Sequence, residues 1–184
     1  MAKPYGFSAA RSKDIRIRLD DSERGLLLSL AQQVAEFVAP PEADPDADPL
    51  ATMVGIDETA QVPDDPALAR LFPDAFTDDP EASSEFRRFT ERGLREAKHA
   101  HARIVVDSLE TAATTIPRAE VGAWLGFLND ARLTLGTRLE ITEDAHEAIA
   151  ALPEDDPRLG LFHVYDWLTY LQDTLVRLLM PDSA

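Results

Sequence analysis

The chain has 184 residues, 45% of them hydrophobic, and a formal net charge of −16, which fits one folded domain over residues 1–184. It contains no cysteine, which excludes disulfides, thiol catalysis, thiol redox switching and cysteine metal sites. The acidic balance disfavours direct binding of duplex nucleic acid, because phosphates attract basic surfaces.

Residues 1–19 predict a small β-hairpin. The segments "YGFSAA" and "DIRIRLD" form two short strands, and Ile15, Ile17 and Leu19 alternate with Arg16 and Arg18. An isolated hairpin is only marginally stable, so this one is expected to lie on helices. Directly after it, Asp20 and Glu23 have the spacing of a capping box that opens a helix.

Residues 40–60 predict a mobile, acidic, proline-rich insert. Eight of the thirteen prolines fall between residues 40 and 80, and "PPEADPDADP" is suited to neither helix nor strand. Order is expected to return after the insert. Pro66 lies in the first turn of a short predicted helix, and Asp79 with Pro80 can start another.

Residues 81–115 predict one long or one broken amphipathic helix. At 100° per residue, one apolar face carries Phe86, Gly93, Ala97, Ala100 and Ile104. Phe89 and Leu94 stand at the edges of that face. Such a stripe is typical of the side of a helix that packs on a core.

The polar side of this helix carries a docking stripe. Its members are Arg88, Arg92, Arg95, His99 and Arg103. One interpretation is that the stripe binds an acidic partner. The other is that it is a solvated face held by pairs such as Glu91–Arg95. Residues 81–110 hold equal numbers of acidic and basic side chains, which favours the solvated face. Glu96 and His99 have a spacing known from di-iron bundles, but such a site also needs two further glutamates that face inward, so no metal or cofactor is predicted.

The stretch "WLGFLNDARLTLG", residues 124–136, sets polar residues into an apolar helix that opens at Pro117. Helical geometry places Arg132 inside the apolar face and Asp130 about 160° away, on the opposite side. We therefore expect Asp130→Ala to cost less than about 1 kcal/mol. Asn129 is expected to bond to a backbone that passes close to the neighbouring glycines, which are Gly122, Gly126 and Gly136.

Two interpretations of Arg132 are open. It is the centre of an anion or ligand site, or it is a buried guanidinium that bonds to a carboxylate or to helix ends and fixes the register of the bundle. We favour the second interpretation. Asp107 is the first candidate partner, and Asp166 and Asp173 are weaker candidates.

The remaining sequence predicts two more helices. Thr142 or Asp144 can cap a short one, and "EDDP" caps the last, over "RLGLFHVYDWLTYLQDTLVRLLM". The apolar stripe of the last helix consists of Leu161, Val164, Tyr165, Leu168, Leu171, Leu175 and Leu179. So wide a stripe indicates a central helix of a bundle. The predicted fold is thus mostly α, a helical bundle with a small N-terminal β-hairpin.

Three stretches carry a resemblance to a known family: "DDPALARLFPDAFTDDPEASSEFRRFTERGLREAK", "WLGFLNDARLTLGTRL" and "VYDWLTYLQDTLV". Together they resemble an uncharacterised actinobacterial family, catalogued as a domain of unknown function, over nearly the whole chain. Its members are often encoded near the Clp protease adaptor, and some are described as transcriptional or oxidative-stress regulators. Cysteine-based sensing does not transfer to this chain, which has no thiol.

We expect a non-enzymatic, cytoplasmic interaction or regulatory protein whose partner is another protein. The N-terminus lacks a secretory signal, and no apolar run is long enough to span a membrane. A homodimer is compatible with the sequence, and no catalytic motif is found. The alternative is a small-molecule or anion binder, or a hydrolase, with a pocket around Arg132; an ordered pocket of several hundred Å3 at Arg132 would favour it.

Overall fold

The N-terminal hairpin is the first element of the computed structural model, which describes residues 5–10, 13–41, 56–57, 60–141, 149, 152–153 and 155–180. Strand β1, Gly6–Ala9, pairs antiparallel with β2, Ile15–Arg18, as predicted. Strand β3, Thr115–Ile116, adds to β2 and completes a sheet of order β1-β2-β3. Two residues are too short a run to show a strand pattern, so β3 had no sequence signal.

Five helices have both ends within the described residues. They are α1 Asp21–Val38, α2 Pro66–Leu71, α3 Pro80–Glu110, α4 Val121–Arg138 and α5 Pro157–Leu179. The protein is mostly α-helical, as the sequence predicts. The predicted insert over residues 40–60 and the short helix expected near residue 142 fall largely outside the described residues, so both stay predictions.

Side-chain caps set the starts of four helices. The predicted capping box is confirmed, because Asp20 accepts a hydrogen bond from the Glu23 backbone and Glu23 accepts one from the Asp20 backbone. Asp65, Asp79 and Asp156 cap the helices that begin with proline. Hydrogen bonds from the Arg158 side chain and backbone lower the pKa of Asp156 to about 2, so this cap keeps its charge in mild acid.

The sheet packs on α5 and α4 through one apolar side. Phe7, Ile15 and Ile17 are buried, and the Phe7 ring meets Trp124 edge to face at 5.7 Å. Gly6 has a φ of 83°, and a Cβ there would lie 3.0 Å from Leu171. Glycine therefore lets β1 begin this close to α5.

The central helix is α4, whereas the sequence favours the last helix for that place. Helix α4 contacts α1, α2, α3 and α5, and a 3-10 turn over Arg118–Glu120 leads into it. Its buried residues are Val121, Ala123, Trp124, Phe127, Leu128, Asp130 and Ala131, which at 100° per residue cover about half of its circumference. Asp130 lies at the edge of this buried half, where Lys98 of α3 reaches it.

Helix α3 is a continuous helix that is turned about its axis relative to the sequence-based expectation. The side toward α1 and α4 carries Ser83, Arg87, Glu91, Ala102, Val105, Val106 and Leu109. The face expected to pack on the core is exposed instead, with Phe86 at 48% and Phe89 at 55%. The aliphatic C-terminal half fixes this rotation, and Arg87 and Glu91 share the buried side because they pair with each other.

Candidate functional site

Arg132 is half-buried between α4 and α5. Its Nε donates to Thr169 Oγ1 at 2.9 Å, its Nη1 donates to Gln172 Oε1 at 2.7 Å, and its guanidinium lies 5.5 Å from the centroid of the Tyr165 ring. All three neighbours are uncharged and come from α5. Their spacing of four and three residues is the signal on the last helix that would have identified them.

The prediction that Asp107 binds Arg132 is wrong. Asp107 lies on an exposed side of α3 and pairs with Arg103 at 3.1 Å. The weaker candidate Asp173 pairs with Arg177 on its own helix at 2.9 Å. The error comes from the rotation of α3, which points Asp107 away from α4.

A cavity of about 420 Å3 opens beside Arg132. Arg70, Gly136, Thr137, Glu140 and Tyr165 share its lining. It therefore combines two guanidinium groups with an aromatic ring and one carboxylate. Thr137 Oγ1 is engaged with the Leu133 carbonyl at 2.9 Å, so its hydroxyl serves the helix.

The glycines of α4 make room for rings and not for a neighbouring backbone. A Cβ on Gly126 would lie 2.6 Å from His101 Nδ1, and one on Gly136 would lie 3.3 Å from the Tyr165 ring. Gly122 faces open space. Asn129 is half-buried, and its side chain has no hydrogen-bond partner among the described residues. The predicted backbone contact at this strip is therefore wrong.

Asp130 is buried, in contrast to the solvent position predicted for it. It is 2% exposed, and its Oδ1 accepts a hydrogen bond from Lys98 Nζ at 2.7 Å. Lys98 extends from α3, so the pair joins α3 to α4. Asp130, and not Arg132, is the buried charge of this stretch.

The docking stripe of α3 mostly faces other parts of the fold. Arg95 bonds to Glu91 and covers the Phe72 ring at 4.4 Å, and His99 Nδ1 donates to the Ala35 carbonyl at 2.9 Å. Arg88 is half-buried, and its carbonyl accepts from the Asp57 backbone. Arg92 pairs with Glu96 at 3.5 Å. Arg103 is thus the one exposed member, and a docking role for the whole stripe stays a prediction.

A buried ion-pair network centred on Arg87 has no counterpart in the sequence-based predictions. The Arg87 guanidinium donates to the Phe72 carbonyl at 3.0 Å, to Asp74 at 2.9 Å and to Glu91. Burial lowers the pKa of Arg87, but hydrogen bonds and charge attraction from the Glu91 and Asp74 carboxylates together outweigh this effect. The pKa of Arg87 is therefore raised above its ordinary value. The group therefore stays charged and ties the segment before α3 to that helix. The four-residue spacing of Arg87, Glu91 and Arg95 was the available signal.

The outer face of α3 is the side turned away from the core. We define it by Ala82, Phe86, Phe89, Gly93, Ala97, Ala100 and Ile104. Phe89 and Phe86 are about half exposed, and Phe76 extends the patch by packing edge to face on Phe86 at 6.1 Å. Leu94, 42% exposed, borders it. A contiguous aromatic patch of this kind is typical of a binding surface.

Within the described ranges, no group of three or more histidines and carboxylates is arranged to hold a metal ion. The Glu96 and His99 side chains, which have a metal-like spacing, bond to Arg92 and to the Ala35 carbonyl. No helix in the described part of the chain is both long and apolar enough to cross a bilayer.

Comparison with known proteins gives one family and several relatives. The model of the family described as "Domain of unknown function (DUF2017)" matches residues 4–179. The chain is 32% identical over 181 residues to the oxidative stress regulator AosR of Mycobacterium tuberculosis. This alignment covers 90% of this chain and 82% of that protein. The AosR protein of Mycobacterium bovis gives the same values. No solved structure matches significantly.

The extent of these matches confirms the resemblance on which the sequence analysis relied. The family model spans both the hairpin and all five helices, and the regulators align along nine tenths of the chain. The chain therefore belongs to the family described as a domain of unknown function, DUF2017.

Proposed function

We propose that this chain is a cytoplasmic regulatory protein that acts by binding a polypeptide through the outer face of α3, and not by catalysis. The observation that carries the proposal is the exposure of Phe86 and Phe89 side by side on one helix. Aromatic side chains in a contiguous exposed patch are enriched at protein interfaces. The name of the mycobacterial relatives, oxidative stress regulator, supports the regulatory part.

The buried charges support a structural and not a catalytic use of the polar residues. Arg87, Glu91 and Asp130 are the charged residues that are buried in the described structure, and each is held by an oppositely charged partner. Their pairs link α3 to α4 and to the segment before α3. Because the chain has no cysteine, any regulation it exerts under oxidative stress does not use a thiol of its own.

Replacement of Phe89 tests the proposal in the cell. A strain of the source organism that lacks the gene is complemented with wild type, Phe89→Ser or Leu161→Ser, and transcript levels are measured before and after peroxide treatment. We expect wild type and Leu161→Ser to restore the transcript profile and Phe89→Ser to fail, at equal protein levels. Leu161 is the matched control, since it is 46% exposed on α5. Full restoration by Phe89→Ser would contradict the proposal.

The second candidate function is anion binding in the cavity beside Arg132. Its volume of about 420 Å3 and the presence of Arg70 and Arg132 in its lining favour this function. The Arg132 guanidinium is held by uncharged partners, which orient it without neutralising it. A planar guanidinium is well suited to carboxylate and phosphate oxygens.

Thermal melts with added anions test the second function. At constant ionic strength, inorganic phosphate or succinate is expected to raise the melting temperature of wild type and to have no such effect on Arg132→Met. Arg177→Met is the control, because Arg177 forms an exposed pair with Asp173 and does not line the cavity. Equal anion-induced shifts in wild type and Arg132→Met would show that the cavity is not an anion site.

A further inference from the structure

We infer that the polypeptide bound by the outer face of α3 is a second copy of this chain, placed antiparallel so that the two helices cross at Gly93. The inference rests on the proposed function in using the same face. It assigns the occupant of that face and the residues that meet across it. Closed twofold pairing is the commonest way in which identical soluble chains associate.

The positions of the outer face are symmetric about Gly93. They are Ala82, Phe86, Phe89, Gly93, Ala97, Ala100 and Ile104, and their spacings are 4, 3, 4, 4, 3 and 4 residues. Read from either end, the pattern is the same. An antiparallel second copy therefore places a residue of its own outer face opposite each residue of this one, as a twofold contact requires.

Large side chains meet small ones in this arrangement. Reversal about Gly93 places Phe86 opposite Ala100 of the second copy and Phe89 opposite Ala97. The exposed phenyl rings thus find space over alanines, and the alanines allow close approach of the helices. Alternation of large and small residues across a contact lets the two layers interdigitate.

Gly93 has no packing partner among the described residues. Glycine is a poor helix former, yet Gly93 lies inside a continuous 31-residue helix, and a Cβ added to it would meet nothing within 4 Å among the described residues. In α4, Gly126 and Gly136 each face a ring, whereas Gly122 of α4 and Gly25 of α1 have the same open surroundings as Gly93. A second helix that crosses at Gly93 gives this glycine the close backbone approach for which glycine is suited.

The charges beside the outer face also favour a second copy. One flank of the outer face carries Glu85, Arg92, Glu96 and Arg103. In an antiparallel twofold pair, this flank of one copy lies against the same flank of the other copy. Glu85 then lies within two residues, or about 3 Å along the axis, of Arg103 of the second copy, and Arg92 lies equally near Glu96. Residues 81–110 hold six acidic and six basic side chains, so this helix does not share the net charge of −16 that would select a strongly basic partner.

The contact is short, so we expect a weak dimer. Residues 82–104 span about 33 Å of helix, and small interfaces are typical of transient complexes. Sedimentation equilibrium of the full chain tests this expectation between about 1 and 500 μM, a range that suits weak affinities. It should show a monomer at the lowest concentrations and a dimer at the highest. A wild-type chain that stays monomeric over the whole range overturns the inference.

Gly93→Leu separates loss of pairing from loss of folding. Leucine is a better helix former and enters open space in the monomer, so its melting temperature should equal or exceed that of wild type. The leucine side chain blocks the close approach of the two helices at residue 93. We therefore expect the dissociation constant of the dimer to rise at least tenfold, which is about the effect of losing one close contact. Gly25→Leu is the matched control, since Gly25 is an exposed helical glycine on α1 with equally open surroundings. Dimerisation of Gly93→Leu with wild-type affinity overturns the inference.

Charge reversal tests the antiparallel register. Glu85→Arg and Arg103→Glu should each weaken the dimer, and the double variant should recover affinity because both pairs are restored with opposite sign. Failure of the double variant to recover overturns this register. If wild type is monomeric while Phe89→Ser still loses the peroxide response, the second copy is excluded and the proposed function stands. If the dimer forms and Phe89→Ser restores the response, the proposed function fails and the dimer stands.

Discussion

Asp130→Ala is expected to lower the free energy of unfolding by about 3 kcal/mol, because it leaves the ammonium of Lys98 at a helix interface without its carboxylate. Asp130 is almost fully buried, and Lys98 reaches it at 2.7 Å from α3. This reverses the expectation from the helical wheel, which placed Asp130 in solvent. Urea unfolding of the purified variants measures the difference.

Two further variants show whether the loss comes from the buried pair. Lys98→Met in the Asp130→Ala background should recover part of the stability, because it removes the unpaired charge. Asp173→Ala is the control, since Asp173 forms an exposed pair with Arg177, and we expect a cost below about 0.5 kcal/mol. An Asp130→Ala protein as stable as Asp173→Ala would show that the burial of Asp130 is wrongly assigned.

Arg87→Met is the second large effect, with an expected loss of about 3 kcal/mol or more in the free energy of unfolding. Arg87 is 5% exposed and bonds to the Phe72 carbonyl, Asp74 and Glu91. Methionine fills much of the volume but leaves the carbonyl and Asp74 without this donor. The segment that leads from α2 into α3 should loosen first, and hydrogen exchange near Phe72 measures that.

Arg92→Met is the matched control for Arg87→Met. Arg92 lies on the same helix and pairs with Glu96 at 3.5 Å, where the carboxylate is largely exposed. Solvent screens such a pair, so its loss should cost below about 0.5 kcal/mol. Arg87→Lys should fall between the two, because it keeps the charge but loses the forked geometry. Equal unfolding curves for Arg87→Met and Arg92→Met would refute the buried network.

The position of Arg132 could be predicted from the sequence better than its partners could. The sequence placed Arg132 on an apolar helical face and kept a pocket around it only as the alternative interpretation. The partners of Arg132 were not predicted, because Thr169 and Gln172 lie about forty residues away and are neutral. Sequence spacing identifies partners along one helix, such as Glu91 and Arg95, far better than partners on another helix.

Local rules determined the elements themselves. The alternation of Ile15 and Ile17 with arginines set the hairpin, the Asp20–Glu23 box set the start of α1, and Asp-Pro steps set the starts of three later helices. Each of these signals depends on atoms a few residues apart. Caps and turns are formed by neighbours in the chain, so the sequence alone is sufficient to place them.

Only the tertiary structure decided which side of each helix is buried. In α3, Phe86 and Phe89 make one side the more hydrophobic, yet Val105, Val106 and Leu109 turn the other side inward, and the paired Arg87 and Glu91 go with them. In α4, contacts with several helices bury Asp130 as well as Trp124, Phe127 and Leu128. A helix is rigid, so its strongest contacts fix the rotation of every residue it carries, and a buried charge is tolerated wherever another element supplies its partner.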